Sequence, residues 1–146
     1  MVSAVMFMGA SYKNLGDIVV NSIMIESEFG STHIVGAGIA TYNADGKMVN
    51  FITVGDDGGG QLRTYNADGI ETVLLGTGKY GGIATSNTDG KRTAFLGTDL
   101  EGFGFLETNN KHGVRVGYFG SGKSNDGMAL LYDRYGDTGW GESGKK

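Results

Sequence analysis

The chain has 146 residues, of which 28 are Gly, none is Pro and none is Cys. The lack of Cys excludes disulfides and thiolate metal sites and leaves the redox compartment open. Its 12 basic and 16 acidic residues, a formal net charge of −4, are dispersed, so no Lys/Arg stripe exists to neutralise a phosphate backbone and nucleic acid is not an expected partner.

From the amino end, residues 1–22 read as a strand or a lead-in segment. The apolar run Met1-Val-Ser-Ala-Val-Met-Phe-Met8 has no basic residue before it and is far shorter than the roughly 20 residues that span a bilayer, so this segment is not expected to insert into a membrane. Residues 23–140 read as a β-repeat domain of five to six copies, the first of them shorter and running through Ile23 to Gly36. The anchor of each later copy is a four-residue turn: Asn43 to Gly46, Asn66 to Gly69, Asn87 to Gly90, Asn110 to Gly113 and Asp133 to Gly136. The closing glycines are 23, 21, 23 and 23 residues apart. An Asn or Asp at the first position bonds its own backbone two residues on, and the Gly supplies the positive φ that a bulged hairpin turn demands. A strand-like run precedes each anchor and another follows it, ending in Gly55, Gly76, Gly97 or Gly120. The connections on the far side are glycine-rich and too short for a parallel crossover, which predicts an antiparallel meander. Residues 141–146 read as a flexible tail.

Alignment on the anchor glycine yields columns. The seventh position before it holds Ile39, Leu62, Ile83, Leu106 and Ala129, and the fifth holds Thr41, Thr64, Thr85, Thr108 and Leu131, which places both columns on one face of the strand. After the anchor come Phe51-Ile52, Leu74-Leu75, Phe95-Leu96 and Tyr118-Phe119, consecutive apolar residues that must point to opposite faces. Leu, Ile, Val and Phe number 34, about 23% of the chain, close to the level below which burial fails to offset the entropy of ordering. A thin core with two apolar faces favours packing against other sheets, and identical neighbours are the expected source.

Candidate chemistry is sparse. The Asp-rich turns suggest calcium, but no acidic residue stands at the bidentate position and the period is not nine, so no metal site is expected. Asp56-Asp57 sits in a glycine loop where solvated charge is the default. His33 and His112 have no nucleophile pattern around them. Gly120-Ser-Gly-Lys123-Ser124 lacks the helix that a phosphate-binding loop requires. Glu71, Asp99, Glu101 and Glu107 supply carboxylates for glycoside cleavage only if two of them flank a groove. Near the carboxy end, Tyr132, Arg134, Tyr135 and Trp140 read either as a cap closing the end of the sheet or as an aromatic platform for a sugar.

The segment Gly60-Gln-Leu-Arg-Thr-Tyr-Asn-Ala-Asp-Gly69, followed by Glu71-Thr-Val-Leu-Leu-Gly76, is similar to a Tyr-Asn-x-Asp-Gly…Leu-Gly repeat of uncharacterised bacterial proteins. That resemblance spans roughly residues 20 to 140 and implies no activity. The hairpin geometry also resembles the triple-stranded β-helices and β-prisms of phage tail fibres. The fold expected is therefore an all-β hairpin meander assembled as a trimeric β-prism or triple-stranded β-helix. The function expected is a non-enzymatic, cofactor-free homotrimeric spacer or adhesion module. It would be extracellular or surface-displayed if a further region lies upstream of Met1. The alternatives are a fibre that binds a carbohydrate or cell surface and, behind it, a polysaccharide-cleaving spike.

Overall fold

A computed structural model describes residues 20–76 and 80–145. Twelve antiparallel strands form one sheet in strict chain order: β1 (Ser22–Ser27), β2 (Gly30–Val35), β3 (Gly38–Asn43), β4 (Met48–Val54), β5 (Gly60–Tyr65), β6 (Glu71–Gly76), β7 (Gly82–Ser86), β8 (Arg92–Thr98), β9 (Gly104–Asn109), β10 (Arg115–Ser121), β11 (Gly127–Tyr132) and β12 (Thr138–Ser143). The all-β meander expected from the repeat is thus the fold. β1 and β12 do not pair with each other, so among the described residues the sheet is open rather than a closed barrel. No helix of the described residues is long and apolar enough to cross a membrane.

The anchors form one row of turns along one end of the sheet. In each, the first residue's N–H donates to the carbonyl four residues on, and the glycine N–H returns to the first residue's carbonyl, as in Asn66 N to Ile70 O (3.0 Å) and Gly69 N to Asn66 O (3.0 Å). The five closing glycines have φ between 71° and 95°, where a β-carbon is penalised and Gly is not. The strand that leaves the turn then carries a bulge, as the pairing shift between Thr64 and Tyr65 records. Turns at the opposite end repeat the device with Gly58 (φ 81°) and Gly102 (φ 91°), and with Asn125 (φ 62°) in the left-handed region.

Because every turn holds its register, the sequence columns become continuous ladders across the sheet. One runs Ile23, Ile34, Ile39, Ile52, Leu62, Leu75, Ile83, Leu96, Leu106, Phe119, Ala129 and ends at Glu142, each residue directly paired with the next. Beside it on the same face runs a threonine-rich ladder through Thr32, Thr41, Asn50, Thr64, Val73, Thr85, Ala94 and Thr108. The other face carries Phe51, Arg63, Leu74, Ala84, Phe95, Glu107, Tyr118 and Leu130 in one ladder.

Boundaries differ in detail from the sequence reading. Residues 1–19 of the expected lead-in over 1–22 lie outside the described residues. At the other end β12 continues through Gly141–Ser143, inside the segment read as a tail from 141, because Met128 pairs with Ser143 and Ala129 with Glu142. Gly144 N also donates to Gly127 O at 2.8 Å.

Candidate interaction faces

A single sheet has no second layer to bury its side chains, and the exposures show it. Among the described residues only Ala40 (7% exposed) and Ala84 (8%) are buried hydrophobics, and no large side chain is fully enclosed. The two faces meet this condition differently.

On the Phe95 face, large side chains lie flat over glycine. A β-carbon at Gly82 or Gly97 would meet the Phe95 ring at 2.5 and 2.6 Å, and one at Gly120 would meet Phe105 Cβ at 2.6 Å. Phe95, Phe105 and Tyr118 line up with ring centroids 5.2 and 5.7 Å apart. Arg92 sits 5.3 Å from the Phe95 centroid and Arg115 4.7 Å from that of Tyr132. Arg63 pairs with Glu71 at 3.3 Å and Arg115 with Glu107 at 3.7 Å. Phe51, Leu74, Phe95, Phe105, Tyr118 and Leu130 all end half-buried. Burial, with Asp99 and Tyr132 adding to it, raises the Tyr118 hydroxyl above the ordinary tyrosine value against the smaller opposing pull of Arg115. That hydroxyl donates to Ser121 O at 2.9 Å.

The isoleucine–leucine face has no such cover. Its polar residues satisfy one another: Thr64 and Thr72 hydroxyls lie 2.9 Å apart, those of Thr85 and Thr93 2.8 Å apart, and Asn50 Nδ2 donates to Thr41 Oγ1 at 2.9 Å. Most of its large aliphatic residues stay open. From β3 onward the strand residues counted as exposed large hydrophobics are Ile39, Ile52, Val54, Leu75, Ile83, Leu96, Leu106, Phe119, Leu131 and Trp140, at 38% to 68% exposure. Register places all ten on this face. The opposite apolarity read from pairs such as Leu74-Leu75 is therefore present, but the chain itself covers only one member of each pair.

The turn row adds a feature that the motif alone did not reveal. Asn87 Nδ2 donates to Lys111 O and Asn110 Nδ2 to Arg134 O, both at 3.0 Å, while each Oδ1 accepts from its own turn. Lys47 Nζ reaches Ala67 O at 2.7 Å in the same manner. Asn can donate sideways and Asp can only accept. At the fifth anchor the residue is Asp133. Its Oδ1 accepts from Tyr135 N and Asp137 N, and these backbone donors, Tyr135 first, lower its pKa below the ordinary aspartate value.

Other candidates are placed apart or occupied. Trp140 pairs with Leu131 on the aliphatic face, whereas Tyr132 belongs to the opposite face, and Arg134 and Tyr135 stand in the turn 6.0 Å apart. The four residues do not form one platform. Glu71 and Glu107 stand on β6 and β9, their backbones at least about 14 Å apart at three strand spacings, and each carboxylate is held by its own arginine, Arg63 and Arg115. Glu101 faces Lys123 at 3.8 Å, and Asp99 Oδ1 accepts from Glu101 N and Phe103 N. Asp57 Oδ1 accepts from Gly59 N. His33 Nε2 lies 3.2 Å from Ser31 Oγ, and its ring packs against Tyr42. Lys123 and Ser124 lie in a hairpin turn between β10 and β11. Among the described residues no group of three or more His, Asp or Glu is gathered to hold a metal ion.

No family model and no curated protein matches this chain. Among solved structures, a crystal structure of the S. aureus TarM G117R mutant in complex with Fondaparinux, alpha-GlcNAc-glycerol and UDP aligns at a TM-score of 0.39 and 15% identity. The alignment covers 68% of this chain and 20% of that one, and at that score it carries no argument about this protein.

Proposed function

We propose that this chain is a non-enzymatic structural module, a stiff repeat that self-associates, with three copies sharing one interior, and serves as a spacer or surface-displayed interaction element. The observation that carries this reading is the pair of facts that nothing larger than Ala is buried among the described hydrophobics and that an aliphatic ladder crosses the sheet uncovered. Eight ladder residues, from Ile23 to Phe119, are exposed by 38% to 68%. Moving that share out of water contributes about 1 kcal/mol each. The total, about 8 kcal/mol per chain, is of the size that offsets the entropy lost on association. The two ionic pairs of the other face and the side-chain-capped turns are read as structural.

Absolute mass in solution tests the reading. Three copies would weigh about 46 kDa against 15.3 kDa for one, and light scattering after size exclusion separates them without ambiguity. A stable monomer that unfolds cooperatively would sink it.

A further inference from the structure

We infer that the aliphatic ladder face, and not the aromatic face, is the surface on which identical copies of this chain pack against one another. This rests on the self-associating reading above and adds which of two candidate faces does the work and what occupies it.

Three observations point to a second copy as the occupant. First, the faces are inequivalent in a way the chain builds on purpose. Glycines at 82 and 97 leave room for the Phe95 ring to lie against the sheet, with Phe105 and Tyr118 lined up beside it, so from β3 onward the large apolar side chains of the aromatic face are half-buried by their own neighbours. Of the ladder residues from Ile23 to Phe119, eight remain 38% to 68% exposed. Second, charge separates the faces. The ladder and its threonine neighbour carry no ionisable side chain until Glu142 on the terminal strand, whereas the other face carries the Arg63–Glu71 and Arg115–Glu107 pairs. A neutral face of aliphatics and mutually bonded hydroxyls asks for a neutral, dry partner, and a copy of itself supplies one without placing any charge in the interface. Third, the extent suffices. Twelve strands at about 4.8 Å and about six residues at 3.3 Å span roughly 53 by 20 Å, near 1,000 Å², against about 800 Å² per partner in a stable interface. Branched aliphatic side chains repeated at strand spacing from Ile23 to Leu106 also make the surface complementary to itself in shape.

The chain has no native Cys, so single thiols can be placed on the two opposite faces of one strand. In β8, Leu96→Cys lies on the ladder and Arg92→Cys on the aromatic face. In the assembled protein, maleimide labelling of Leu96→Cys is expected to be at least about tenfold slower than that of Arg92→Cys, because a thiol buried in an interface is inert. Denaturation should equalise the two rates. The double variant Leu75→Glu/Leu96→Glu is expected to reduce the mass to that of one chain with its β-sheet spectrum retained. Should the double variant not fold, the labelling ratio still decides. An assembled protein in which Arg92→Cys is protected and Leu96→Cys labels freely would overturn the inference while leaving self-association standing. A monomeric parent chain would remove both.

Discussion

Gly120 offers the sharpest test of how a one-layer sheet is held flat. It pairs with Phe105 of β9, and an added β-carbon would lie 2.6 Å from Phe105 Cβ, 2.8 Å from Gly104 O and 2.9 Å from Phe105 Cα. Two of these three atoms are backbone of a strand bonded on both sides, so the neighbour has no cheap way to move. Gly120→Ala should therefore cost about 1–3 kcal/mol of overpacking, less about 0.4–1 kcal/mol gained by restricting the unfolded chain, a net loss of about 1–2 kcal/mol. Gly104→Ala is the matched control, because a β-carbon there meets nothing within 4 Å. Only the unfolded-state gain remains at that position. Thermal unfolding at one fixed protein concentration should separate the two variants by roughly 4–12 °C, taking about 4 °C per kcal/mol for a chain of this size. If Gly120→Ala proves as stable as Gly104→Ala, the close approach of β9 to β10 at this position does not require glycine.

The turn row makes two further predictions. Asn110→Asp keeps the acceptor for its own turn but loses the amide that donates to Arg134 O, so chemical denaturation should show a loss of about 0.5–1.5 kcal/mol. Asp133→Asn should act on pH dependence instead. Its carboxylate pKa is lower in the fold than in the unfolded chain, so its contribution is present above the ordinary aspartate value and is lost as pH falls through the folded value. The Asn variant should lack that acid-side component, and a denaturation series from neutral to strongly acid pH that ran parallel for both proteins would refute the assignment.

Much of this architecture was legible because turn chemistry and face periodicity are local. The Asn-x-x-Gly anchors predicted bulged hairpins, and the columns Ile39, Leu62, Ile83 and Leu106 emerge as one ladder. The inequality of the faces was not legible. Leu74-Leu75 and Phe95-Leu96 read as equally apolar on both sides, and only the third dimension shows Phe95 lying across Gly82 and Gly97, residues 13 positions before it and two after it. The aromatic cluster at the carboxy end misled for a related reason. Tyr132 and Trp140 are near in sequence, but alternation and the bulge between Leu131 and Tyr132 put them on opposite faces.

The irregular spacing of the anchors, 23 residues except for one interval of 21, shows how the repeat protects its ladder. Every hairpin across the anchor row spans 13 residues from ladder residue to ladder residue, as from Ile39 to Ile52 or Leu62 to Leu75. From Ile52 onward the far hairpins span ten, as from Ile52 to Leu62 and Leu96 to Leu106, except for eight from Leu75 to Ile83. The short interval has lost one cross-strand pair, one residue from each strand, and neither face has flipped. The same edit should be tolerated elsewhere. Deleting Thr98 and Gly104 together removes one paired couple, leaves the Asp99 turn with Gly102 intact and keeps Leu96 opposite Leu106, at a cost near that of one pair, about 0.2–1 kcal/mol. Deleting Thr98 alone forces a choice between breaking the Asp99 turn, with its two side-chain hydrogen bonds, and shifting every strand from β9 onward to the wrong face. The single deletion should thus cost more, about 2 kcal/mol if the turn gives way. Denaturant midpoints measured side by side would decide it: a single deletion no worse than the double would mean that the ladder, and the pairing that maintains it, is not what this repeat is built to preserve.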